Sequence, residues 1–275
     1  MHWSKGKPTL YQESKENLFA YLARPAQIAA ESRAQSLCKK FHLEPLESLS
    51  TAVQYRKNLY LIETLNSATD GLEILTDGKT DLVEGLNGIG KGQEEIKALD
   101  VGSQDWHYVF GLERWLRFSQ SPQGRKVTLK GVEIDGYGIY ANFHSRKDYG
   151  EANAAQTDNP EVKYRVIDFL KLRETGFDFI SIFYPFVLRY QLLLWGLPLH
   201  FFAPKKIWGQ AIECLKPGGH LLVYCHTQRE QDHFLDLGFQ NKQVRLIRQG
   251  PVVSDFVHFY QDVTERKFSI WKRIS

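Results

Sequence analysis

The feature that most constrains the fold is a series of short apolar runs, separated by helix-length segments, that begins near residue 93. The segments of helical length are 106–118, 136–152 and 204–216. The first four runs have mixed or continuous apolar character, as expected for strands that helices cover on both faces of a sheet. The alternation therefore predicts an α/β fold built on a parallel sheet. The predicted strands are 96–101, 127–134, 162–167, 177–183, 219–225, 243–248, and a terminal pair near 255–260 and 268–274.

The chain before this series has a helical pattern instead. Apolar residues recur at helical spacing from residue 9 onward, and helices are expected over 26–41 and 51–65. Between residues 77 and 92, five glycines lie among charged residues, which indicates a loop-rich junction. We therefore expect an N-terminal helical appendage over residues 1–92 and an α/β domain over residues 93–275.

The junction also contains a pattern that resembles a phosphate-binding loop. Gly85 to Gly92 reads GLNGIGKG and fits G-x-x-x-x-G-K, but Gly92 stands where Ser or Thr must bind magnesium. No predicted strand precedes the pattern. A flexible junction is therefore the preferred interpretation of these glycines.

Composition excludes several classes of protein. The 275 residues include 35 basic and 32 acidic ones, without a block of like charges, so the charge does not indicate a nucleic-acid partner. The three cysteines are too few and too widely spaced for a disulfide framework or a zinc ribbon, and His226 and His233 lack a third ligand at metal-site spacing. No metal is expected. The cysteine usage therefore favours a reducing, cytoplasmic location, and the N-terminus lacks the charged-then-apolar order of a signal peptide.

One apolar segment has the length of a membrane span. Residues 183–203 are long enough, but Arg189 lies inside the segment and two prolines, Pro185 and Pro198, interrupt it. A central arginine costs roughly 2.5–3.5 kcal/mol on insertion scales. We therefore expect buried or interface-facing protein here and no membrane span.

Ligands of open parallel sheets bind at the carboxyl ends of the strands, and these ends carry suitable side chains. Asp100 and Gly102 follow the first run, and Gly102 would let the backbone approach a ligand closely. Glu133 ends the second run and could accept both hydroxyl protons of a ribose. After the third run, the Asp168 carboxylate could accept from an exocyclic amine while Phe169 covers a purine face. Together these residues describe an adenosine site.

The order of these motifs resembles class I S-adenosylmethionine-dependent methyltransferases over roughly residues 95–275. ALDVGS is similar to the family's first motif, GVEID to the acidic second, VIDFLKL to the third, FDFISIFYPF to the fourth strand, and LKPGGHLLVYC to the turn and strand that follow. In LKPGGHLLV, Pro217 would end a helix, and Gly218 and Gly219 would allow a left-handed turn into a strand.

The resemblance implies a Rossmann-like methyltransferase sheet, mostly parallel with an antiparallel last strand, and S-adenosylmethionine as cofactor. Asp100, Gly102 and Ser103 would lie by its methionine part, Glu133 by the ribose, and Asp168 with Phe169 by the adenine. The family's first motif usually has glycine at every second position after the aspartate. This chain has Gly102 and then Gln104 and Trp106, which would line the site or fill it.

Residues that face the acceptor are expected after the fourth strand. Tyr184, Pro185 and Phe186 stand there, and the resemblance implies that they line the acceptor pocket, with Tyr149 as a further substrate contact. Core packing is an equal alternative for each aromatic residue. The candidate catalytic residues are His107, as a base beside the first motif, and Tyr184. Methyl transfer needs a base only if the acceptor must lose a proton.

Three functions remain open at this point. The first is a methyltransferase that binds S-adenosylmethionine and an unidentified acceptor, with a small molecule or protein preferred over RNA. The second is a non-catalytic protein of the same fold that acts as an interaction or dimerisation module, including as a homodimer. The third, a dehydrogenase, is disfavoured because the loop after Asp100 lacks the G-x-G-x-x-G that a pyrophosphate requires.

Overall fold

The structure, a computed structural model, describes residues 24–43, 57–66, 73–76, 79–82, 89, 92–252, 254 and 266–275. The expected helix before residue 24 and the expected strand at 255–260 lie outside the described residues. The helices are α1 (Arg24–Phe41), α2 (residues 57–66), α3 (Val109–Phe118), α4 (Arg146–Ala155), α5 (Arg189–Leu194), α6 (Pro204–Cys214) and α7 (Gln228–Phe239). The strands are β1 (Glu73–Thr76), β2 (Lys79–Leu82), β3 (Glu95–Val101), β4 (Lys126–Glu133), β5 (Val162–Val166), β6 (Phe177–Phe183), β7 (Leu215–Cys225), β8 (Val244–Pro251) and β9 (Lys267–Arg273).

A seven-stranded sheet forms the centre of the α/β region. Its strand order is β5-β4-β3-β6-β7-β9-β8, and β3 to β7 pair in parallel. The last strand, β9, is antiparallel to both of its neighbours. The predicted Rossmann-like sheet with an antiparallel last strand is therefore confirmed. The parallel strands bring the ends of β3, β4, β5 and β6 to one carboxyl edge.

Apolar side chains fill both faces of the sheet. One core cluster contains residues of α1, α2 and α3 together with β3 and β4, and the other contains residues of α6 and α7. The α2 residues Leu59, Ile62 and Leu65 are almost fully buried in the first cluster. Helix α2 is therefore packed against the sheet-covering helices, and its polar residues lie close to the loop after β3.

Several predicted boundaries differ from those observed. Two short strands, β1 and β2, pair antiparallel just before and at the start of the junction that was expected to be loop-rich. The helix expected from residue 136 begins only at Arg146, where Ser145 and Asp148 form a capping box. The helix expected from residue 106 begins at Val109.

The LKPGG segment has the predicted turn geometry but a different start. Helix α6 ends at Cys214, so Pro217 lies three residues beyond its end and within β7. Gly218 has φ +80°, the left-handed conformation expected for it. The strand expected at 219–225 is therefore longer at its beginning than predicted.

Candidate functional site

The loop between β3 and α3 has an unusual backbone. Gly102, Gln104 and Trp106 have φ of +75°, +55° and +53°, so every second residue is left-handed. These are the positions where the resembled motif carries glycine. A left-handed residue with a side chain costs roughly 1–2 kcal/mol, and neighbouring contacts must offset that cost.

Contacts beneath the loop supply this stabilisation. The Trp106 side chain is fully buried in the first core cluster and lies against Gly131 of β4, where a Cβ would come within 2.7 Å of the indole. Its ring also lies 5.9 Å from the ring of Tyr164, which donates a hydrogen bond to the Gln104 carbonyl. The bulky side chain is therefore accommodated in the core beside β4.

Glu133 ties the end of β4 to this loop. One carboxylate oxygen accepts from the backbone amide of Gln104 and the other from that of Asp135, both at 2.8 Å. The side chain is buried. Each carboxylate oxygen can accept a second hydrogen bond, so the residue can still receive two hydroxyl groups.

Asp100 forms a buried hydrogen-bonded group at the end of β3. Its carboxylate accepts from Ser181 Oγ of β6 at 2.6 Å and from the Tyr108 hydroxyl at 2.7 Å. Ser103 Oγ donates to the Asp100 carbonyl at 2.9 Å. Burial raises the pKa of Asp100 to about 6, although the hydrogen bonds act in the opposite direction. Sequence reasoning did not identify Ser181, which is an unremarkable residue within a buried strand.

Asp168 and Phe169 follow β5, as the sequence indicated. The Asp168 carboxylate accepts from the amide of Leu170 at 3.0 Å and so caps a short 3-10 helix, Phe169–Lys171. The Phe169 ring is buried in the second core cluster. The assignment of the pair to an adenine ring remains a prediction.

A second polar group surrounds His107. Its Nδ1 lies 2.5 Å from an Asp105 oxygen, and the Tyr140 hydroxyl donates to the other oxygen at 3.1 Å. Burial lowers the pKa of His107, although the hydrogen bond and charge of Asp105 act in the opposite direction. Burial alone would raise the pKa of Asp105, but the hydrogen bond and charge of His107 bring it well below its usual range.

The hydrogen bond to Asp105 determines the tautomer of the neutral imidazole. An ionised Asp105 can only accept, so Nδ1 carries the proton in the neutral ring and Nε2 is the unprotonated nitrogen. Lys57 of α2 lies near enough for its charge to lower the pKa of both side chains. Neither Asp105 nor Lys57 was identified from the sequence, because no local pattern connects them to His107.

Tyr149 lies on the same side of the carboxyl edge as His107. It lies on α4, and its ring meets that of Tyr140 edge-on at 5.3 Å. Tyr140 in turn donates to Asp105, which contacts His107, so two residues lie between Tyr149 and His107 in this series of contacts.

The end of β6 carries the residues expected to face an acceptor. Tyr184 has φ +54°, a strained conformation for a side-chain-bearing residue, and its ring stacks on His226 at 3.6 Å. Burial raises the pKa of Tyr184 and lowers that of His226 to about 4. Tyr224 lies edge-on to Tyr184 at 5.1 Å and hydrogen-bonds Tyr60 of α2. Helix α2 therefore contributes to this end of the edge as well.

The segment that follows β6 extends along the carboxyl edge. Pro185 is buried, and Phe186 lies edge-on to Trp195 at 6.0 Å. The Arg146 guanidinium lies 5.0 Å from the Trp195 ring and pairs with Asp135 at 2.5 Å. This chain of contacts connects the end of β6 to the residues that follow Glu133. Within the described ranges, no helix is both long and apolar enough to cross a membrane.

The structure thus brings the predicted residues together in two groups. Asp100, Gly102, Ser103 and Glu133 share one hydrogen-bonded region around the first loop, with Asp168 at the end of the neighbouring strand. Tyr184, Pro185 and Phe186 follow β6 on the other side of β3. Among the residues that the structure describes, no three His, Cys, Asp or Glu side chains are arranged to hold a metal ion.

Comparison with known proteins shows the fold. No protein-family model matches the sequence, and no curated protein matches it. A structure from Listeria monocytogenes, described as that of a class I S-adenosylmethionine-dependent methyltransferase, is 14% identical with a TM-score of 0.52, covering 69% of this chain and 57% of that one. The chain therefore has the fold of this methyltransferase superfamily.

Two other solved structures overlap this chain with lower scores. TrmN from Thermus thermophilus is 13% identical with a TM-score of 0.44, covering 65% of this chain and 44% of that one. Geranyl diphosphate C-methyltransferase from Streptomyces coelicolor is 12% identical with a TM-score of 0.45, covering 69% of this chain and 78% of that one. The chain thus spans about half the length of TrmN and of the Listeria protein.

Proposed function

We propose that the chain is an S-adenosylmethionine-dependent methyltransferase that acts on a small-molecule or protein acceptor. The observation that carries the proposal is Glu133, an acidic residue at the end of β4 that contacts a loop with three alternating left-handed residues. In this arrangement, the end of one strand offers a carboxylate to the two ribose hydroxyl groups. The end of the neighbouring strand lets the cofactor approach the backbone closely.

Open space beside the first loop supports the fit of the cofactor. A Cβ added at Gly102 would meet only the carbonyl oxygen of Phe183, at 3.9 Å. A ligand can therefore approach the backbone between the ends of β3 and β6. Glu133 would accept hydrogen bonds from the ribose hydroxyls, and Asp168 would accept one from the amine of adenine. Asp100 and Ser103 would hold the loop beside the methionine part.

S-adenosylmethionine supplies an electrophilic methyl group when bound. The chain would orient the acceptor with the aromatic residues Tyr184, Phe186 and Tyr149. His107 Nε2 would take a proton from an acceptor that must lose one, and Asp105 would hold the imidazole in the required tautomer. Tyr184 is the second candidate for a catalytic contact, but its raised pKa makes it a proton donor in hydrogen bonds at neutral pH.

A non-catalytic interaction or dimerisation module is the alternative. This alternative is favoured because the carboxylates of the site already have hydrogen-bond partners within the chain. Both oxygens of Glu133 and both oxygens of Asp100 accept such bonds. The two functions differ in one measurable property, the binding of S-adenosylmethionine.

Calorimetric titration with S-adenosylmethionine and S-adenosylhomocysteine tests the proposal, with NADH as the control ligand. Saturable binding of the first two is expected. Asp168→Asn should weaken it by about tenfold, because it removes a charged acceptor while an asparagine still caps the 3-10 helix. Asp158→Asn, at an exposed left-handed residue, is the matched control and should bind as the unmodified chain does. Absence of binding at millimolar ligand would favour the non-catalytic alternative.

A further inference from the structure

Two segments at the carboxyl edge expose large apolar side chains. The loop between β4 and α4 exposes Tyr137, Ile139 and Phe143, and Phe143 is 90% exposed. The segment between β6 and α6 exposes Leu194 to 79% of its area. Its other exposed apolar residues are Tyr190, Leu193, Trp195 and Leu199. A group of exposed apolar side chains can mark an interaction site.

The two segments lie on the same edge of the sheet, and together we call them the apolar rim (residues 137–143 and 190–199). Arg146, just after the first segment, places its guanidinium 5.0 Å from the Trp195 ring of the second. The rim lies at the carboxyl edge, because its two parts follow the parallel strands β4 and β6.

The charged residues that flank the second segment of the rim are basic, whereas Asp135 and Asp148 flank the first segment. Residues 136–147 and 185–206 contain no Asp or Glu, but they contain Arg146, Lys147, Arg189, Lys205 and Lys206. Arg146 and Lys147 pair with acidic residues outside these segments. Arg189, Lys205 and Lys206 form no ion pair with the part of the chain that the structure describes.

The two lysines occupy an unfavourable place within the helix. Lys205 and Lys206 lie in the first turn of α6, directly after Pro204 at its start, and no acidic residue shares that turn. The positive end of the helix dipole disfavours cations there. The two lysines therefore do not stabilise α6. A negatively charged surface facing this edge would compensate their positive charges.

We propose that the apolar rim docks on the surface of a lipid bilayer that contains anionic lipids. Leucine, tryptophan and phenylalanine side chains would enter the interface, and the lysines and Arg189 beside them would face the lipid headgroups. Protruding side chains such as Phe143 and Leu194 suit a fluid layer, which needs no pocket of matching shape. The aliphatic residues Leu193, Leu194 and Leu199 do not suit a nucleic acid, whose bases stack on aromatic rings.

Sedimentation of the full chain with lipid vesicles tests the docking. Vesicles of phosphatidylcholine and phosphatidylglycerol in equal parts should bind the chain about tenfold more tightly than phosphatidylcholine vesicles, and salt should reduce the difference. The double variant Phe143→Ser, Leu194→Ser should lose binding to both. The variant Lys205→Gln, Lys206→Gln should lose about tenfold on anionic vesicles only.

Two controls make the outcome specific. Ile274→Ser and Lys163→Gln change exposed residues away from the rim and should leave binding unchanged. Bromine-labelled lipids should quench the fluorescence of Trp195, since the other described tryptophans are buried, and Trp195→Phe should remove that quenching. Equal binding of the unmodified chain and the double variant overturns the proposal. The proposal is also overturned if the unmodified chain self-associates without binding vesicles and the double variant does not self-associate. The rim would then bind a second copy of the chain.

Discussion

The backbone amide of Gln104 donates to the Glu133 carboxylate at 2.8 Å, although Gln104 is in a left-handed conformation that side-chain-bearing residues rarely adopt. The hydrogen bond joins the loop after β3 to the end of β4. It uses a backbone group, so it does not depend on which residue stands at position 104. The loop can therefore keep its path without the glycines of the resembled motif, provided that other contacts offset the strain.

A first prediction separates backbone strain from side-chain packing in this loop. Gln104→Gly should raise the free energy of unfolding by about 0.5–1 kcal/mol, because relief of the left-handed strain exceeds the extra entropy of unfolded glycine. Trp106→Gly relieves the same strain but removes a fully buried indole, so it should lower stability by about 3–5 kcal/mol. Urea denaturation measures both. A large loss of stability in Gln104→Gly would show that its side chain, and not its backbone, supports the loop.

A second prediction concerns pH. The folded-state pKa of Asp100, about 6, lies above its ordinary value of 3.8, so the folded chain favours the protonated carboxyl. The protonated Asp100 therefore adds about 3 kcal/mol to the free energy of unfolding. This contribution is fully present below the ordinary pKa and is lost as pH rises through about 6. The difference in unfolding free energy between the unmodified chain and Asp100→Asn should fall by this amount across that window.

Ser181→Ala provides the companion measurement. The Ser181 hydroxyl stabilises the charged form of Asp100, so its removal should move the loss of stability to higher pH. Denaturant unfolding at a series of pH values reports both variants. A difference between the unmodified chain and Asp100→Asn that does not change with pH would contradict the raised pKa.

A third prediction addresses the protonation of His107. Asp105 raises the pKa of the imidazole and Lys57 lowers it, so Asp105→Asn should lower that pKa further and Lys57→Met should raise it. Titration of the ring nitrogens by NMR measures the shifts and identifies the nitrogen that carries the proton. We expect a proton on Nδ1 at pH 7 in the unmodified chain. A proton on Nε2 instead would exclude His107 as a base at that nitrogen.

A fourth prediction tests the attachment of helix α2. Asn58 Oδ1 accepts from the amide of Gly111 at 2.5 Å, and a Cβ at Gly111 would lie 2.9 Å from that oxygen and from the Asn58 carbonyl. Gly111→Ala should therefore displace α2 and lower stability by about 1–3 kcal/mol. Gly209→Ala is the matched control, since a Cβ there meets nothing within 4 Å, and it should raise stability by up to about 1 kcal/mol.

Limited proteolysis distinguishes displacement of α2 from a general loss of stability. Gly111→Ala should increase cleavage within α2 under conditions where the α/β region remains intact. Equal stability of the two alanine variants would mean that α2 is not held against α3 at this point.

The sequence by itself determined the sheet and the acidic residues at its strand ends. Apolar runs and the helix-length segments between them are local properties, so they identified β3, β4, β5 and β6 before any contact was known. Parallel strands end at a common edge, and that rule brought Asp100, Glu133 and Asp168 to one side of the molecule. Local pattern did not reveal the hairpin of β1 and β2, whose strands are only four residues long.

Only the tertiary structure decided how the site is completed. The Trp106 side chain has room because Gly131 of β4 lies opposite it. Asp105 is a candidate site residue because the His107 ring turns back towards it. Tyr60 meets Tyr224 across a separation of 164 residues, and Trp195 meets Arg146 across the edge of the sheet. Such contacts depend on how distant segments pack against each other, and the periodicity of one segment contains no information about its distant partner.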